Sequence, residues 1–287
     1  MTRSRRIVAV TAALFILLAG CGSDSGRSVS RQQRHAMSAE LHGQYRIGDA
    51  RRLPEPDPAD RRALAAIATG PGPTASEIAA AMTEMDAITA SPDLHPSDAV
   101  SVARLEHEET AARAAAHRFA TTPAAARSGY RLASGYLAGI GAHWIDWSRV
   151  TRAFDPASPA MLLFDQASPA HLVGLSYYVR SATEPIGFRG AGAHWHRHAG
   201  LCIVHGVLVG EGVARRADCD HGRGTLVPGR DLWMLHAWVV PGHANPLGTF
   251  AALNSSLCTR ASPCTPDGSV PTGLPIAPGG STSGVAP

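Results

Sequence analysis

The sequence predicts an α+β protein, with an N-terminal helical segment packed on an antiparallel β-sheet or small β-barrel. Two observations carry this. Residues 57–135 are rich in Ala, Arg, Glu and Met and poor in β-branched residues, which favours helix. From about residue 140 to 258 the apolar period becomes two, which favours strands. Helices grouped before strands, rather than alternating with them, point to α+β.

The N-terminus reads as an export signal. Arg3, Arg5 and Arg6 form a positive region before the apolar run Ile7 to Ala19. That run is too short for a good spanning helix. "LLAGC" (Leu17 to Cys21) resembles a bacterial lipobox. The resemblance implies a signal peptide over 1–20, a lipidated Cys21 and a lipid anchor on the extracytoplasmic side of the cell membrane. Residues 21–56 are polar and read as a tether. Residues 57–264 are expected as one domain, and the Pro-, Gly- and Ser-rich tail 265–287 as disordered.

Helix signals follow in order. Asp57 caps a helix with Pro58 in its first turn. Ile78, Met82, Met85 and Ile88 share one helical face. Residues 96–120 hold the longest helix candidate. Thr122 is expected as a cap, with Pro123 following and Gly129 as a stop. The strand candidates are "AMLLFD" (160–165), "HLVGLSYYV" (171–179), "LCIVHGVLV" (201–209) and "DLWMLHAWVV" (231–240). Asp155-Pro156 and Pro241-Gly242 are turns.

Composition excludes several functions. All 26 basic residues are Arg, the net charge is only +3, and no basic patch interleaved with aromatics appears, which argues against nucleic-acid binding. There is no GxSxG elbow and no GxxxxGK[ST] phosphate loop. Apart from Cys21 the chain has Cys202, Cys219, Cys258 and Cys264. An even number outside the cytoplasm suggests disulfides, and local pairing gives Cys202–Cys219 and Cys258–Cys264. The alternative, metal thiolates, lacks any CxxC pair.

The chemistry-bearing feature is histidine. Of 14 histidines, nine lie between 143 and 243. In a strand, residues i and i+2 face the same way, so His196 and His198 of "HWHRH" present imidazoles side by side, with His194 in reserve. His236 lies inside the apolar run "WMLHAWVV", where an imidazole needs partners for both nitrogens. His143 supplies a fourth. Three or four imidazoles suit a transition metal such as Zn, Cu or Fe. Asp146, Asp155 and Asp165 are candidates to orient a ligand histidine. Trp144, Trp195 and Trp238 suggest a partly enclosed pocket. His35, His42, His95, His107 and His117 read as ordinary solvated or core residues. His171, His205, His221 and His243 read as loop or strand surface.

The stretches "GYLAGIGAHWIDWSRV", "FDPASPAMLLFD", "HLVGLSYYV", "HWHRHAGLCIV" and "WMLHAWVVPGHANPLGTFAALNSSLC" resemble a family of uncharacterised secreted bacterial proteins over residues 110–258. This chain departs from that pattern at "LNSSL", where only Asn254 remains of a final Asn-Pro. The HxH pattern of "HWHRH" is similar to cupin strands, without the downstream Glu and glycine-framed spacing of that family. Three functions remain open. The first is a lipoprotein that binds a transition metal through His143, His196, His198 and His236. The second is a mononuclear metal hydrolase or cupin-like oxygenase using the same residues. The third is a structural or interaction lipoprotein without metal.

Overall fold

The computed structural model describes residues 47–89, 96–150, 152–189 and 195–258. They form a mixed α+β architecture in which five helices precede nine strands. The helices are α1 (Ile47–Ala50), α2 (Pro58–Ile67), α3 (Ala75–Thr89), α4 (Ala99–Arg118) and α5 (Thr122–Arg127). None of the described helices is long and apolar enough to cross a membrane. Cys21, Cys264 and His194 lie outside the described residues.

Local chemistry sets the helix starts. The Asp57 carboxylate accepts from the N–H groups of Ala59 and Asp60 at 2.7 and 2.9 Å, with Pro58 in the first turn. Thr74 and Glu77 form a reciprocal capping box ahead of α3, with contacts of 2.7 and 3.2 Å. Asp98 caps α4 through Ser101. The cap of α5 is Thr121 rather than Thr122, because Thr121 is the extended residue whose hydroxyl reaches the Ala124 N–H. The segment expected as a tether carries structure in its last residues. Ala50 on α1 is fully buried, packed with Val207 and Val209 of the hairpin described below.

A six-stranded antiparallel sheet has the order β1-β2-β3-β4-β9-β5. Its strands are β1 (Arg131–Leu137), β2 (Gly141–Ile145), β3 (Met161–Phe164), β4 (Leu172–Arg180), β9 (Leu232–Ala237) and β5 (His196–Arg197). A three-stranded sheet, β7-β6-β8, comprises β6 (Leu201–Val204), β7 (Val207–Gly210) and β8 (Thr225–Val227). Neither described sheet closes into a barrel. Strand structure begins at Arg131, about ten residues before the sequence period suggests. Gly135 and a register shift between Leu132 and Tyr136 interrupt the alternation there. The run 201–209 is two strands rather than one. His205 and Gly206, with φ of 52° and 80°, turn the chain between paired Val204 and Val207, as a two-residue type I′ hairpin requires.

The large sheet is covered on both faces. One face carries Leu162, Phe164, Leu175, Tyr177, Leu235 and Ala237 against Leu105, Ala112 and Ala116 of α4. The other carries Ile145, Met161, Tyr178 and Met234 toward Leu64 and Ile67 of α2 and Leu201, Ile203 and Val227 of the small sheet. The same inner face carries the histidines. The Cys202–Cys219 disulfide forms as expected, and Cys258 is also disulfide-bonded.

Candidate metal centre

Strand pairing fixes which side chains share the inner face. Ser176 on β4 sits opposite His236 on β9; Tyr178 sits opposite Met234, and Met234 opposite His196 on β5. On the far side Gly174 of β4 pairs with Leu163, and Leu163 with His143 on β2. His143, His196, His236, Ser176 and Tyr178 therefore point into one interior. All are buried, with His196 0%, His236 2% and His143 8% exposed.

The sheet brings them together by curling. Three strand spacings separate β2 from β9, about 14 Å on a flat sheet. The His143 and His236 rings are 6.2 Å apart, so the strands bend toward each other. Gly174 opens the space between them, and Trp238 fills it: a Cβ there would lie 2.7 Å from the indole. His196 lies 5.4 Å from His236 and 5.1 Å from His198, ring centre to ring centre. Two imidazoles on one tetrahedral ion have centres roughly 5 Å apart, given bonds of about 2.1 Å. The His196 pairs match that separation and the His143–His236 pair exceeds it by about 1 Å. Among the described residues no group of three or more His, Cys, Asp or Glu already stands in the converged geometry of a metal site.

Hydrogen bonds set the tautomers. His236 Nδ1 is 2.7 Å from the Ala252 carbonyl, an acceptor only, so Nδ1 carries the proton and Nε2 keeps its lone pair. That Nε2 is buried without a hydrogen-bond partner. The Ser134 hydroxyl donates to the Gly135 carbonyl and accepts from the His143 backbone N–H; its oxygen stands 2.8 Å from His143 Nδ1, which the network assigns as the donor. His143 then also offers Nε2. The His198 Nδ1 meets the Glu211 carboxylate at 2.8 Å.

The electrostatics divide the four. Burial pushes the His143 imidazolium pKa down to about 3, with His236 and His198 adding repulsion. Burial likewise lowers His236 to about 4, against the opposing Ala252 hydrogen bond. Both rings are neutral at ordinary pH, the form that binds metals. For His198 burial pulls down, but Glu211 overcomes it and the net shift is upward. Burial raises the Tyr178 phenol far above its ordinary value, so it stays a hydroxyl. Its oxygen and Ser176 Oγ are buried without hydrogen-bond partners on the same face as His236 Nε2.

The structure brings His143, His196, His198 and His236 into one cluster. It does not bring the three aspartates to it. Asp146 binds Ser148 and Arg149, Asp155 accepts from Ala157, and Asp165 binds the His171 segment, because each serves its own turn. Of the three tryptophans only Trp238 borders the histidines, 5.7 Å from His236; Trp144 and Trp195 pack on the opposite face. Ser134, Ser176, Tyr178 and Glu211 escaped the sequence reading. "SYYV" placed Ser176 and Tyr178 on one alternating face, a usable signal, whereas Glu211 is 13 residues from His198 and only the hairpin joins them. No family model, curated protein or solved structure matches this chain, so the reading of the centre rests on its own geometry.

Proposed function

We propose that the protein is an extracytoplasmic lipoprotein, anchored in the bilayer through lipidated Cys21, whose domain binds one transition-metal ion through His196, His236, His143 and His198. The observation that carries this is His236. Its Nδ1 is committed to the Ala252 carbonyl, and its Nε2 lone pair is buried without a partner at the middle of the cluster. Leaving such a group unsatisfied costs about 1–3 kcal/mol, which coordination would recover. A histidine that donates its other nitrogen to a backbone carbonyl or carboxylate is the ordinary arrangement of a metal ligand, and His198 with Glu211 fits the same pattern. An all-imidazole set suits Zn, Cu or Fe. Export accords with the disulfide-bonded cysteines.

Holding an ion fits better than turning over a substrate. Three of the four imidazoles are at most 8% exposed, which leaves a substrate little access to an open coordination position. Equilibrium dialysis of the full chain against Zn, Cu or Co, followed by metal analysis, tests the reading. The expected result is one ion per chain, lost in His236→Ala and kept in His107→Ala. No retained metal, or equal retention in both variants, refutes it.

A further inference from the structure

A cleft of about 660 Å³, lined by none of His143, His196, His198 or His236, lies between α2, the β6–β7 hairpin and the loop 211–224. The Cys202–Cys219 disulfide ties that loop to β6. The floor is apolar, with Leu64 from α2, Ala68 at the C-terminal cap of α2 and Ile203 from β6; Leu64 and Ile203 are buried. The walls carry four guanidiniums, Arg51, Arg61, Arg216 and Arg223, against the two carboxylates Glu55 and Asp220.

The two carboxylates are already committed. Asp220, whose side chain is 4% exposed, is bound by the Arg51 guanidinium and has Arg223 at 3.6 Å. Glu55 lies 2.9 Å from His205. Arg61 donates to the Pro56 carbonyl but forms no ion pair among the described residues, and Arg216 likewise forms none. Arg61 therefore faces the cleft with only the exposed Asp57 carboxylate in electrostatic reach, and Arg216 without a paired carboxylate among the described residues. The wall that bears Asp220 is also an uncommon conformation. Asp220, His221 and Gly222 run left-handed in succession, with φ of 51°, 53° and 81°. That conformation costs about 1–2 kcal/mol for each non-glycine residue. The Arg51 and Arg223 contacts to Asp220 hold it in place.

We propose that this cleft binds an amphiphilic organic anion, a phosphate or carboxylate on a short apolar group. Arg61 and Arg216 take the anionic oxygens and the Leu64–Ala68–Ile203 floor takes the apolar part. Guanidinium forks match the paired oxygens of such head groups, and the apolar floor between these charged walls gives a short hydrocarbon group a surface to cover. The site is independent of the histidine cluster and of any metal there.

Isothermal titration of the full chain with octyl phosphate tests it. Saturable binding is expected, with inorganic phosphate at least tenfold weaker because it leaves the floor uncovered. Arg61→Ser and Arg216→Ser should each weaken octyl phosphate by roughly tenfold, the loss of one charge-assisted contact. Arg104→Ser on α4 should leave it unchanged. Arg216→Ser should keep the wild-type Tm, whereas Arg61→Ser also loses the contact to the Pro56 carbonyl, so its affinity is read at a temperature where the variant is fully folded. Competition of bound octyl phosphate by soluble dihexanoyl phosphatidylglycerol identifies the source: displacement assigns a lipid head group, and no displacement assigns a free amphiphile. Absence of saturable octyl phosphate binding, inorganic phosphate binding equally tightly, or affinity untouched in Arg61→Ser/Arg216→Ser overturns the proposal.

Discussion

Gly174→Ala is a small perturbation at the point where the histidine interior is shaped. A Cβ at this position lies 2.7 Å from both Cε3 and Cζ3 of Trp238 and 3.2 Å from Leu163 Cδ1. The indole contact is shorter than ordinary van der Waals distance by about 0.7 Å or more. Trp238 has little freedom to withdraw: it is 3% exposed and its Nε1–H donates to the Ala251 carbonyl at 2.7 Å. The next carbonyl, Ala252, is the one that orients His236. Overpacking of this kind costs about 1–3 kcal/mol, and a domain of this size loses about 2–4 °C of Tm per kcal/mol. Thermal and urea denaturation, followed by far-UV circular dichroism, should therefore show a Tm lower by about 2–12 °C at neutral pH. Adding Trp238→Leu should recover part of the Gly174→Ala loss, giving a non-zero coupling energy in the double-mutant cycle. An unchanged Tm in the single variant, or strictly additive effects in the cycle, would mean that Trp238 does not lie over Gly174.

Three more outcomes follow from the same structure. Asp60 is 3% exposed, and burial, with Asp57 and Asp146 nearby, pushes its carboxyl pKa up to about 6 from 3.8. The folded state therefore binds the extra proton, stability falls as pH rises from about 4 to about 6, and Asp60→Asn should remove up to about 3 kcal/mol of that fall; parallel pH profiles of the two proteins would contradict it. Cys202→Ser/Cys219→Ser opens a loop of 17-residue separation, and closure entropy gives a loss of about 3 kcal/mol in urea titrations; an unchanged midpoint would refute the constraint. Because Glu211 outweighs burial in raising the His198 imidazolium pKa, the pair stabilises fully below the unfolded pKa near 6.5 and loses its contribution as pH rises through the folded value. Glu211→Gln in metal-free protein should lower the His198 pKa measured by NMR, and an upward shift or none would break the pairing.

Periodicity made much of this fold legible. The Asp57 cap, the long helix α4 and strands β3, β4 and β9 follow from capping chemistry and apolar period. The β1 strand did not, because Gly135 and a bulge break its alternation. The 201–209 run hid a hairpin, since its turn is His205-Gly206 and histidine is a less frequent left-handed residue than Asn or Asp in such turns. For the site, alternation paired His196 with His198, and an imidazole inside an apolar strand marked His236. The meeting of His143 with His236 depends on curvature across four strands, which no local pattern encodes. The partners of the histidines, Ser134, Glu211 and Ala252, arrive from a bulge, a hairpin end and a loop, so only the tertiary structure reveals them.

X-ray absorption of the Zn- or Co-loaded full chain tests the metal centre most directly. The account predicts three or four nitrogen neighbours at about 2.0–2.1 Å with the outer-shell scattering of imidazole rings, falling by one in His236→Ala. A first shell made only of oxygen, or containing sulfur, would contradict it.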